Sequence, residues 1–134
     1  MTRVSVEVPA ELVEPIRETV LLLYGATAES VQLALRARAS NRASIEEVEA
    51  HRTRLAELDA LLRRLGGTPD DAPRRVEAPR DLLHDALYGA LIDAGERLAE
   101  MSNRSWRGEL PLERVQEAAE EVLAIDRLLR QLPG

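Results

Sequence analysis

Two hydrophobic periods divide the chain. At the N-terminus Val4, Val6 and Val8 alternate with Arg3, Ser5 and Glu7 until Pro9 ends the run. That is the period of a strand with one buried face. After Pro9 the spacing becomes helical, with Leu12, Val13, Ile16, Val20, Leu23, Val31 and Leu35 on one stripe. Pro15 is tolerated only in a first helical turn, which places the helix start near residues 11 to 14. Gly25 admits two readings: a C-terminal cap with Thr27 capping a following helix, or a weak point inside one long helix.

A second helix is predicted from Ser44, whose spacing to Glu47 is that of a capping box. Val48, Leu55 and Leu62 then recur every seven residues, with Leu58 and Leu65 between them, until Gly66-Gly67. The stretch "GGTPDDAPRR" (66–75) reads as a linker. A third helix follows from about Arg80 to Met101 through Leu83, Leu87, Ala90, Leu91, Ala94 and Leu98. After the loop "SNRSWRGELP", Pro111 opens a fourth, with a seam at Val115, Val122, Ile125, Leu129 and Leu132.

The halves repeat. A shift of 67 residues lays "LAELDALLRRL" on "VLAIDRLLRQL", with Asp59 on Asp126. A shift of 70 lays "VEVPAELV" on "VEAPRDLL" and Gly25 on Gly95, while a shift of 64 aligns the two "LYGA" segments. The resulting expectation is a single domain over residues 1–134, all-α and four-helix-bundle-like. It consists of two similar helical hairpins (about 10–66 and 80–133), a linker (66–79) and a short N-terminal strand or extended arm.

Composition narrows the chemistry. The 134 residues contain no Phe and no Cys, and Trp106, Tyr24 and Tyr88 are the only aromatics. An aliphatic core rich in Ala and Leu suits close helix packing and argues against base stacking. All 18 basic residues are Arg, set against 24 acidic ones, for a net charge of −6, which repels a phosphate backbone in bulk. The longest apolar run, "VLLLY", is too short to span a bilayer and no signal peptide is apparent, so the expected location is cytoplasmic, without membrane contact.

No residue set reads as catalytic, metal-binding or cofactor-binding. His51 lies on the second seam one turn after Glu47, which fits an interfacial histidine bonded to that carboxylate better than a ligand. His84 follows Asp81 by three residues, but the Asp-x-x-His pattern has no second copy, as a di-iron bundle needs. The acidic runs at 45–50 and 117–121 are spread around their helices and read as solvated faces. Gly89 and Gly95 fit close helix approach, with a ligand groove as the alternative reading. Trp106 reads as an anchor capping one end of the bundle or, if exposed, as an interaction anchor.

The first 38 residues, as "RVSVEVP", "AELVEPIRETVLLLY", "GAT" and "AESVQLALRAR", resemble the ribbon–helix–helix family of DNA-binding dimers. The resemblance implies an intermolecular ribbon presenting Arg3, Ser5 and Glu7 to the major groove. It also implies that amides near Thr27 and Ala28 hold a phosphate.

The reading that follows is a non-catalytic assembly or protein-interaction module, not an enzyme. It is expected to be a homodimer paired through Val4, Val6 and Val8, because an unpaired edge strand invites a partner. A dimeric ribbon–helix–helix-type regulator binding DNA through residues 3–38 is the alternative. A bundle enclosing a small apolar ligand is the third reading.

Overall fold

A computed structural model describes residues 2–66 and 72–133. The elements run β1 (Arg3–Val8), a 3-10 turn (Ala10–Leu12), α1 (Val13–Ala39), α2 (Ile45–Leu65), β2 (Arg74–Pro79), α3 (Arg80–Trp106) and α4 (Leu112–Arg130). The protein is an all-α helical bundle carrying a small two-stranded sheet.

The strand's partner lies in the same chain. β1 pairs antiparallel with β2, Val6 opposite Val76 and Ser5 opposite Glu77. The premise that Val4, Val6 and Val8 belong to a strand without a partner in its own chain is therefore corrected. The second half of the expected linker supplies the complementary strand, whose Val76 and Ala78 are buried beside Val6 and Val8. Residues 67–71 of that linker lie outside the described residues.

Gly25 does not end a helix. α1 continues through it for 27 residues, and Thr27 is buried in the interior of the helix instead of capping a new one. One helical glycine costs about 1 kcal/mol, and the continued helix buries Thr27 and Ala34. Leu35, assigned to the stripe from its spacing, is exposed, and Ala34 takes the inward position. Ser44 caps α2 as expected, accepting the Glu47 N–H at 3.2 Å. Trp106 is the last residue of α3, not part of a loop.

Both hairpins turn in the same way. The Arg42 N–H donates to the Ala37 carbonyl at 2.7 Å, and the Glu109 N–H donates to the Arg104 carbonyl at 2.9 Å. These six-residue closures are Schellman caps, which need one left-handed residue. Asn41 (φ 58°) and Gly108 (φ 78°) supply it, 67 positions apart.

The same duplication runs through the core. At a shift of 70, Val6, Val8, Leu12, Ile16 and Val20 correspond to Val76, Ala78, Leu82, Ala86 and Ala90, and all ten are buried. At a shift of 67, Leu58, Leu61 and Leu65 correspond to Ile125, Leu128 and Leu132, again all buried. The ion pairs Asp59–Arg63 (3.0 Å) and Asp126–Arg130 (2.9 Å) repeat at that shift as well. Residues 10–39 are three longer than 80–106, which accounts for the change from one shift to the other.

Each strand–helix–helix unit is thus repeated about a pseudo-two-fold axis through the Val6–Val76 pair. α1 packs on α2, α3 on α4, and α1 against α3 joins the halves. At that junction a Cβ on Gly89 would lie 2.8 Å from Thr19 Cγ2. Thr19 is the residue equivalent to Gly89, so the helices meet on the same axis.

Candidate interaction surfaces

The outward face of the ribbon carries Arg3, Ser5, Glu7, Arg75 and Glu77, all exposed. Its two cations are matched by two carboxylates. Arg3 bonds Glu57 of α2 at 2.8 Å and Glu77 across the ribbon at 3.4 Å, and Arg75 donates to the Ser5 hydroxyl at 3.1 Å. The Glu57 hydrogen bond, ahead of the other contacts, raises the already high pKa of Arg3. These contacts tie the guanidinium to α2 and to the neighbouring strand. Thr27 and Ala28, expected at a helix start, lie inside α1, where the backbone amides serve the helical ladder. No phosphate-binding helix terminus exists there.

The histidines do not form a site. His51 is half-buried and makes no hydrogen bond with Glu47 among the described residues. His84 stacks on Tyr88 with centroids 5.7 Å apart, and its Nδ1 lies 3.6 Å from Asp85, not on Asp81. Among the described residues no group of three or more acidic or histidine side chains is arranged to hold a metal ion, and no helix is long and apolar enough to cross a membrane.

Two apolar regions stand out. Trp106, at the far end of the second hairpin, is 91% exposed. With Leu112, also exposed, and half-buried Val115 it lines a shallow hollow between α3 and α4. The second region is an open groove of about 490 Å³ between α1 and α3. Its apolar lining is Leu22, Leu23 and Ala26 from α1 and Ile92 from α3, and Leu22 is 76% exposed. Leu22 and Ile92 are equivalent at the shift of 70, as are Thr19 and Gly89, so the groove straddles the pseudo-two-fold axis.

Close helix approach, expected at both glycines with a groove as the alternative, holds at Gly89, which also lines this groove, and is corrected at Gly95, which has open space around it. The groove escaped sequence reading because Leu22 sits within "VLLLY", where apolar composition hides which side chains face inward. The equivalence of Leu22 with Ile92, visible once the shift of 70 is accepted, was the available signal.

Comparison with protein-family models, with curated proteins and with solved structures finds no match.

Proposed function

We propose that this protein is a non-catalytic protein-interaction module. The observation that carries the reading is the exposure of Trp106, while the core cluster of buried residues is aliphatic. A large exposed ring at the end of a helical hairpin, beside a second exposed apolar side chain, has the composition of a binding anchor.

The test is co-purification from the source cells. The wild-type chain is expected to retain a discrete partner that Trp106→Ala, Leu112→Ala loses and Glu100→Ala keeps. An identical set of retained proteins in all three variants would overturn the reading.

A DNA-reading ribbon is the second reading. The two-fold antiparallel ribbon favours it, since such ribbons fit a major groove. The balanced outward charge and the engaged Arg3 and Arg75 weigh against it. Binding of random duplex DNA at low salt, weakened steeply by added salt and by Arg3→Ala, would establish this second reading. No binding under those conditions is the expected result.

The expected homodimer rested on an unpaired β1. With β2 as its partner, the proposed unit of function is the single chain, in which the two halves of the repeat meet.

A further inference from the structure

We propose that the α1–α3 groove is a second docking site, distinct from the Trp106 region, which takes a cationic amphipathic helix of a partner protein. This rests on the reading of the chain as an interaction module. It adds the location and the chemistry of one partner.

The shape of the groove follows from the duplication. The crossing of α1 over α3 at Thr19 and Gly89 brings the two backbones close, because Gly89 has no side chain to hold them apart. One helical turn beyond the crossing the equivalent residues Leu22 and Ile92 stand on opposite walls, both exposed. Leu23 and Ala26 add apolar surface from α1. A pair of apolar walls separated by an open trough is the form that receives the i, i+3, i+4, i+7 stripe of a helix.

Charge selects the occupant. Glu18, Asp85, Asp93 and Glu96 edge the groove, and none of the described residues lining it is cationic. Asp85 is paired with Arg54 of α2 at 3.1 Å, and Asp93 with Arg97 one turn further along α3. Glu18 and Glu96 have no ionic partner among the described residues. An acidic rim around an apolar trough attracts a helix with Lys or Arg flanking its apolar stripe, and speeds its approach. A second copy of this chain is disfavoured as the occupant, because its groove would bring the same carboxylates face to face. The net charge of −6 opposes that encounter too.

The experiment uses the full chain and two synthetic helical peptides with the same Leu stripe, one flanked by Lys and the other by Glu, with binding read by fluorescence anisotropy. The Lys peptide should bind, more weakly as salt rises, and the Glu peptide should not. Leu22→Glu, Ile92→Glu should weaken the Lys peptide about tenfold or more. Both side chains are exposed, so the variant keeps its fold; an unchanged thermal transition checks this. Leu123→Glu, an exposed apolar position on α4, should leave binding unchanged, as should Trp106→Ala.

Equal binding of both peptides, or binding indifferent to the Leu22 and Ile92 changes, would overturn the proposal. So would a chain that dimerises at micromolar concentration and becomes monomeric on Leu22→Glu. Loss of the co-purified partner on Trp106→Ala with no Lys-peptide binding would refute the groove alone, leaving the module reading in place.

Discussion

The two halves of this molecule have the same plan and opposite bulk. On the central face of α1 stand Ile16 and Val20; at the equivalent places on α3 stand Ala86 and Ala90. In the ribbon Val8 corresponds to Ala78, and at the helix crossing Thr19 corresponds to Gly89. At each of these equivalent positions the first half carries the larger side chain. Two copies of the first half would crowd Thr19 against Thr19 at the crossing, and two copies of the second would leave Gly89 facing Gly89 across a gap. Close packing penalises both errors. The halves have become complements, and covalent linkage keeps them together in a one-to-one ratio.

Making the halves alike is the direct way to break this relation. Ile16→Ala, which gives α1 the residue of α3, should cost about 2–5 kcal/mol, as a buried truncation does. The reciprocal Ala86→Ile should cost about 1–3 kcal/mol through overpacking. Chemical denaturation read by far-UV circular dichroism measures both. An Ala86→Ile variant as stable as the wild type would reveal spare volume on the second side.

The hairpin turns test the same comparison where the halves have stayed alike. Gly108→Ala should destabilise by about 1–2 kcal/mol, since the left-handed conformation crowds a Cβ. Asn41→Gly, which gives the first turn the residue of the second, should be neutral or slightly stabilising. Thermal melts should show a lowered transition for Gly108→Ala and an unchanged or slightly raised one for Asn41→Gly.

Smaller effects separate the helical glycines. Gly25→Ala and Gly95→Ala each add a methyl group into open space, and each should stabilise by up to about 1 kcal/mol. Gly89→Ala should lose that gain to the contact with Thr19, and adding Thr19→Ala should restore it. Additive effects of Gly89→Ala and Thr19→Ala in a double-mutant cycle would show that the crossing does not depend on this complementarity.

The periodicities made the helices, the capping of α2 by Ser44 and the duplication legible in the sequence. The partner of β1 was harder to read. "RRVEAP" contains one Val and ends in Pro, and it has strand character only because Val76 and Ala78 are covered by the core. Tertiary contact, not local propensity, makes it a strand. The continuity of α1 was open for a similar reason, because a Gly-x-Thr step permits a turn and only the burial of Thr27 and Ala34 in the folded chain favours the helix. The exposure of Trp106 could not be derived, since it depends on how far the second hairpin extends beyond the core. The groove depends on the crossing at Gly89, a contact between residues 70 positions apart.

β1 is closed by β2 of its own chain. The Arg80 N–H donates to the Thr2 carbonyl at 2.9 Å, which makes residues 2 and 80 a hydrogen-bonded pair. By alternation Ser5 and Glu77 are a non-hydrogen-bonded pair, with the closer Cα spacing that a disulfide accepts. The natural sequence has no cysteine, so Ser5→Cys, Glu77→Cys offers a clean cross-link. On mild oxidation it should give a monomer closed by an internal disulfide, seen as a faster band on a non-reducing gel, while Ser5→Cys alone stays monomeric. A covalent dimer from Ser5→Cys alone, with no internal cross-link in the double variant, would contradict the account.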